Sequence, residues 1–151
     1  MIDAARPDDL ADVKLLLEES GLPADDLTAG HLQHFMVVRG GGSITACIAI
    51  EPHGTDALLR SLAVSKGMRG DGCGRKLVAA MEEYARSKQV ASLYLLTTTA
   101  ASFFERLGYQ RIERADAPPS MQKTTQFSML CPSSSTCLFK SISSTISKEI
   151  S

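Results

Sequence analysis

The sequence predicts a mixed α/β fold, with short apolar strands and amphipathic helices sharing one sheet. Residues 35–38, 44–50 and 58–64 are short apolar or β-branched runs, and Gly40-Gly41-Gly42 between the first two is a hairpin signal. Residues 93–97 are apolar on both faces, the pattern of a parallel central strand. Between residues 64 and 93, Leu77, Val78, Met81 and the Tyr84-Ala85 pair recur at helical spacing. A helix there is the crossover that two parallel strands need.

The other elements follow in chain order. Residues 2–5 suit a short first strand. Pro7 with Asp8 and Asp9 opens a helix, its acids at the positive end of the dipole, and Leu10, Val13, Leu16 and Leu17 continue it. Gly21 ends it and Pro23 bars its return. A second short helix is predicted over residues 25–32, and Pro52-His53-Gly54 is predicted to break the strand that begins at Ile44. Residues 100–107 form a short helix closed by Gly108, and a strand starts at Tyr109. After Ala117-Pro118-Pro119 a further short helix is expected over 123–130, then a last strand over 136–142. Residues 1–142 make one domain without internal repeats, and the Ser-, Thr- and Ile-rich residues 143–151 are expected to be a loose tail.

The 151 residues are 44% apolar and 22% charged, with net charge -1, as in an ordinary globular chain. That balance favours neither nucleic acid nor an anionic membrane as partner. No apolar run approaches the roughly 18 residues of a membrane span, and Met1-Ile2-Asp3-Ala4 lacks the layout of a signal peptide, so a cytoplasmic location is expected. Cys47, Cys73, Cys131 and Cys137 show no zinc spacing, so no metal is expected; thiols rather than disulfides are expected in a reducing compartment.

The chemical signal is the loop Arg69-Gly70-Asp71-Gly72-Cys73-Gly74 between a strand and a helix. A helix start offers unpaired N–H groups and a positive dipole end, and glycines let the backbone close on an anion such as a pyrophosphate. Taken by itself the hexapeptide can also be a plain turn. A Walker loop would need Gly-Lys-Ser/Thr where Cys73-Gly74-Arg75 stands, and the glycine spacing is not that of a dinucleotide fingerprint.

Leu62-Ala63-Val64 followed by Arg69-Gly70-Asp71-Gly72-Cys73-Gly74 resembles motif A of the GNAT acetyltransferases, and Phe103-Phe104-Glu105-Arg106-Leu107-Gly108-Tyr109 resembles their motif B. Residues 58–64, 94–99 and 126–134 are similar to the ArsN-type acetyltransferases of arsenic-resistance operons. The resemblance implies a mixed sheet of six to seven strands, about four flanking helices, and a splayed V between two parallel central strands. It implies acetyl-CoA as cosubstrate and N-acetylation of a small-molecule amine. Such domains often pair as homodimers. The alternative is a non-catalytic acyl-CoA-binding or arsenic-sensing protein on the same fold, since fold does not fix function.

By the same resemblance, the backbones of Leu62, Ala63 and Val64 hold the thioester arm and pantetheine, and the Leu62 N–H polarises the acetyl carbonyl, a donor worth roughly 3 kcal/mol. Met68, Arg69, Gly70, Gly72, Cys73 and Gly74 line the pyrophosphate loop, to which Arg75 either adds charge or stays solvated. Thr98 and Phe104 complete the cosubstrate contacts. Phe104 stands where many relatives have a proton-donating Tyr, so the general acid is open among Thr98, Tyr94, Cys131 and water, or the thiolate leaves without one.

The amine must be deprotonated. Glu51 is the first candidate base, against the reading of an ordinary strand-end acid, and His53 the second. His31 and His34 read as surface or packing residues. Arg60, on the strand face of Leu58 and Leu62 by alternation, either holds a substrate's acid group or pairs with Glu51 or Glu82. Cys131 is either a substrate-contacting thiol, with Cys137 a soft ligand pair for trivalent arsenic, or a buried turn cysteine.

Overall fold

The computed structural model describes residues 2–68, 72–130 and 135–143. Among them, seven strands form a mixed sheet: β1 (Ile2–Ala4), β2 (Phe35–Gly40), β3 (Ser43–His53), β4 (Asp56–Val64), β5 (Ser92–Thr97), β6 (Gln110–Ile112) and β7 (Thr136–Ser141), in the order β1-β2-β3-β4-β5-β7-β6. The α-helices are α1 (Leu10–Glu19), α2 (Cys73–Ser87), α3 (Ala101–Arg106) and α4 (Pro119–Gln122). The fold class read from the sequence is the one observed. The chain packs as two compact units, Met1–Glu51 with Arg60–Met81, and Pro52–Leu59 with Glu82–Ser151.

In the first unit β1 and β3 flank β2, both antiparallel to it. Val13, Leu16 and Leu17, one stripe of α1, bury against Leu32, Phe35, Val37, Cys47 and Ala49. The helix expected over 25–32 is instead a 3-10 helix at Ala29–His34 that starts after Thr28. The Asp26 carboxylate is held by Arg60, a tertiary contact, and Thr28 with His31 supplies the later start. β3 runs through Pro52 to His53, where a break was expected. Its register with β2 reaches only Ala49, so on that side Pro52 removes no ladder donor.

Asp9 anchors β2 to the turn before α1. Its carboxylate takes two hydrogen bonds from Arg39, at 2.8 and 2.7 Å, and one from the Arg6 backbone N–H. The Arg39 hydrogen bonds hold the Asp9 carboxyl at about 2, against burial, which raises it. A depressed folded value contributes stability above the unfolded value near 3.8 and loses it as pH falls towards about 2. Asp9→Asn is therefore expected to cost about 1–2 kcal/mol at pH 7 by urea unfolding, with a gap to the unsubstituted protein that closes between about pH 4 and pH 2.

In the second unit β7 pairs antiparallel with both β5 and β6, and β4 pairs parallel with β5 through Asp56↔Ser92, Ala57↔Leu93 and Leu58↔Tyr94. Leu58, Met121, Phe127 and Cys137 form the core there. The helix expected over 123–130 appears as α4, one turn earlier, and a π turn at Gln126–Leu130. Pro119 is a first-turn proline, which favours the earlier start. The α3 C-terminus closes as read: Gly108, at φ +98, donates to Glu105 O while Tyr109 N–H reaches Phe104 O, a Schellman pair. Buried Glu82 accepts from Tyr109 Oη at 2.8 Å and from Lys140 Nζ at 3.0 Å, tying the end of α2 to the α3–β6 turn and β7. Burial, and then the Glu82 charge, push the Tyr109 phenol far above its usual range.

Candidate functional site

β4 carries the first half of the site. Ser61 takes φ +61 inside the strand, in the left-handed region that a non-glycine residue adopts only at a cost of about 1–3 kcal/mol. Its oxygen atoms are held from two sides. Cys47 Sγ donates to Ser61 O at 3.2 Å, and Arg60 Nε donates to Ser61 Oγ at 3.0 Å. The left-handed residue interrupts the two-residue alternation, so the expected common face of Arg60 and Leu62 lapses at this point. The backbone of Leu62, Ala63 and Val64 is thereby turned relative to the strand before it. Burial pushes the Cys47 thiol up to about 12, so it serves as packing and a weak donor.

After Val64 the chain enters a 3-10 turn at Lys66–Met68. Arg69 and Gly70, assigned to the pyrophosphate loop, lie outside the described residues. Gly72 follows at φ +76 with nothing within 4 Å of where a Cβ would stand. Its carbonyl accepts from Lys76 N–H at 3.1 Å, which makes Gly72 the cap of α2. Cys73, Gly74 and Arg75 are then the first-turn residues, whose N–H groups have no intrahelical acceptor. With the dipole of a 15-residue helix behind them, these N–H groups are chemically able to take an anion. The Arg75 side chain is exposed.

The second half is an ion-pair cluster in the same unit. Arg60 is buried, its side chain 1% exposed. It grips Asp26 with two parallel bonds, Nη1 to Oδ2 at 2.5 Å and Nη2 to Oδ1 at 2.8 Å, and reaches Glu51 Oε2 from Nη1 at 3.2 Å. His31 Nε2 lies 3.8 Å from the same Glu51 oxygen. Burial raises the Asp26 carboxyl, but the Arg60 hydrogen bonds and charge outweigh it and leave it below the usual carboxylate range. Burial lowers the Arg60 guanidinium, and Asp26 and then Glu51 overcome that, so it stays charged.

Of the partners read for Arg60, Glu51 is present and Glu82 is not; Glu82 is taken by Tyr109 and Lys140. A substrate carboxylate would have to displace Asp26 or Glu51 to reach Arg60. His53 is exposed at the end of β3, and Thr98 is exposed in the bend after β5. The hydroxyl of the neighbouring Thr97 accepts the Ala100 N–H at 2.9 Å at the start of α3. Phe104 is buried, edge-on to Phe103 and Tyr109, so it packs as a motif B aromatic. Tyr94 stacks against Phe139, and burial raises its phenol. Cys131 lies outside the described residues. Cys137 is buried, which pushes its thiol up to about 11 and opposes a thiolate there.

Asp26 and His31 were not foreseen as site residues. Asp26 fell inside the short helix expected over residues 25–32, and His31 read as a surface or packing residue. One ligand atom from each of Asp26, His31 and Glu51 fits within 4.8 Å, a spacing a divalent cation could use. Two contacts oppose that use. Arg60 already hydrogen-bonds both carboxylates, and the Thr28 N–H holds Nδ1 as an acceptor, which puts the neutral ring's proton on the nitrogen a metal would need.

Residues 31–111, which take in His31, Glu51 and Arg60 of this cluster, the turned strand and the start of α2, match the family model of the acetyltransferase (GNAT) domain. The chain belongs to the GNAT acetyltransferase family. It is 33% identical over 108 residues to an uncharacterised N-acetyltransferase of Chlorobaculum tepidum, covering 71% of this chain and 67% of that one. It is 32% identical over 108 residues to an amino-acid acetyltransferase of Pseudomonas aeruginosa, covering 67% of this chain and 25% of that protein, so this GNAT chain spans about a quarter of that relative's length. N-acetylglutamate synthase from Neisseria gonorrhoeae, complexed with coenzyme A and N-acetyl-glutamate, shares the fold at TM-score 0.80 and 22% identity, over 94% of this chain and 35% of that one. A Mycobacterium tuberculosis protein in complex with CoA shares it at TM-score 0.78 and 21% identity, over 93% of this chain and 98% of that one. The chain is thus a GNAT domain of the acyl-CoA N-acyltransferase type. No helix among the described residues is long and apolar enough to cross a membrane.

Proposed function

We propose that this GNAT domain transfers the acetyl group of acetyl-CoA to the amine of a small molecule, with Glu51 as the base. The observation that carries the reading is the left-handed Ser61 in β4, followed within one loop by the Gly72-capped start of α2. In this reading the α2 amides of Cys73, Gly74 and Arg75 take the pyrophosphate together with Met68, Arg69 and Gly70. The backbones of Leu62, Ala63 and Val64 hold the pantetheine arm, and the Leu62 N–H faces the acetyl oxygen, where negative charge grows in the tetrahedral intermediate. Thr98 and Phe104 keep the cosubstrate contacts that the resemblance implies, His53 remains the second candidate base, and Cys131 is either a substrate-contacting thiol or a buried turn cysteine.

The acceptor arrives as an ammonium ion. Glu51 takes its proton, directly or through a water. The freed nitrogen attacks the thioester carbon, the C–S bond breaks, and the thiolate leaves. The new amide nitrogen sheds a second proton and the thiolate gains one, so one proton per turnover passes to solvent. Phe104 cannot supply the thiolate's proton.

That the relatives include amino-acid acetyltransferases supports an amino acid as acceptor. The resemblance of residues 58–64, 94–99 and 126–134 to ArsN-type enzymes extends the class to an arsenic-containing analogue and to a role in arsenic resistance; the sequence composition favours the cytoplasm, and the GNAT resemblance a homodimer. Phe104 in place of the acid Tyr is the feature that favours the other reading, an acyl-CoA-binding or arsenic-sensing protein without turnover. Release of free CoA, followed with a thiol reagent across a panel of amines, amino acids and an arsenic-containing amino-acid analogue, separates the two. Turnover with at least one acceptor is expected. Tight acetyl-CoA binding with no release from any member would remove the enzyme reading.

A further inference from the structure

His31 is fixed by its neighbour. Its Nδ1 lies 3.1 Å from the Thr28 backbone nitrogen and 3.2 Å from the Thr28 hydroxyl. A backbone N–H can only donate, so Nδ1 is an acceptor, and the neutral ring carries its proton on Nε2. Nε2 stands 3.8 Å from Glu51 Oε2, the oxygen that Arg60 Nη1 touches at 3.2 Å. Both contacts of Glu51 among the described residues therefore fall on Oε2, and Oε1 keeps its acceptor capacity. The Glu51 side chain is 16% exposed and that of His31 32%, so the pair sits where a small acceptor can approach.

We propose that His31 is a positioning residue for Glu51. Its Nε2–H and the Arg60 guanidinium bracket Oε2 and aim Oε1 at the acceptor amine. The proposal rests on the reading of Glu51 as the base. A separation of 3.8 Å is an ion-pair rather than a hydrogen-bond distance, and contacts of this kind tighten when substrate closes the site. Among the described residues the charged side chains paired in this cluster are Asp26, Glu51 and Arg60, two carboxylates against one guanidinium. That balance attracts an ammonium acceptor. Thr28, a capping residue in sequence terms, sets the tautomer of a residue beside the base.

Steady-state kinetics of H31L, H31Q and E51Q, with the acceptor found in the CoA-release assay, test this. H31L is expected to lower kcat about tenfold with the KM for acetyl-CoA unchanged, and H31Q, whose side-chain amide can still donate to Oε2, is expected to recover most of that loss. Unchanged kcat in H31L beside an inactive E51Q would overturn the positioning role and leave the reading of Glu51 standing. Equal losses in H31L and H31Q, with lowered melting temperatures in both, would also overturn it, since that is a packing role. Full activity in E51Q would instead remove Glu51 as the base, and the positioning role with it.

Discussion

Replacing Arg60 by Met is expected to destabilise the folded protein by about 3–5 kcal/mol at pH 7, the cost of stripping the partner from a buried ion pair. The Arg60 side chain is 1% exposed, and it satisfies Asp26 through two hydrogen bonds and Glu51 through one. Met matches much of the volume, so the effect isolates the charge. What remains is two carboxylates, 11% and 16% exposed, with no guanidinium between them. Left-handed Ser61 loses the Arg60 Nε–H that holds its hydroxyl, and Cys47 remains as its buried support. The pH dependence has a definite sign. Asp26 lies below the ordinary carboxylate range because Arg60 outweighs burial. Its contribution is therefore present above the unfolded carboxylate value and lost as pH falls through the folded one. The variant lacks that contribution, so urea unfolding should show the gap to the unsubstituted protein widest near neutrality and narrowing in acid. A second substitution, Asp26→Asn, on the Arg60→Met background should cost little, because the pair is coupled.

How far such a cluster can be read from sequence depends on what kind of pattern records it. The β4–loop–α2 unit was legible because each part leaves a local mark: apolar alternation, glycines where the chain must turn, and helical spacing from Leu77 to Ala85. Gly108 was legible for the same reason, since an αL residue at a helix end selects glycine. Arg60 was flagged because a buried arginine demands a partner, and one partner, Glu51, lay across the hairpin on β3. Asp26 lies 34 residues away, beyond any local pattern, and it fell inside a segment that read as a short helix. Ser61 carries no signal at all. Its φ is imposed by the strand's surroundings, and serine is not the residue that such a φ selects. Pro52 was over-read as a break because proline is costly only where a ladder needs its N–H, and the β2 ladder had already ended at Ala49. The short helices shifted because Pro119 and Thr28 began them where tertiary partners allowed.

Glu51→Gln separates chemistry from scaffold. It is expected to lower kcat by about 10²–10⁴-fold, the range for a lost general base. Gln is nearly isosteric, and its amide oxygen can turn towards Arg60 Nη1, where Oε2 now stands at 3.2 Å. That orientation points the amide NH₂ at the position of Oε1, and an NH₂ group cannot take a proton from an ammonium ion. The two bonds from Arg60 to Asp26 survive, so unfolding free energy should change by only about 1 kcal/mol. Acetyl-CoA binding should also hold, because the first turn of α2 and the Leu62–Val64 backbone are untouched. The same cluster would thus respond in two distinct ways. Removing the cation at Arg60 lowers stability most, whereas neutralising Glu51 removes turnover from a protein that still folds and binds its cosubstrate. Calorimetric titration of the E51Q protein with acetyl-CoA, alongside the CoA-release assay, makes the distinction measurable. If E51Q keeps its activity while Arg60→Met loses stability as expected, the cluster is a structural brace and the proton leaves the amine by another route.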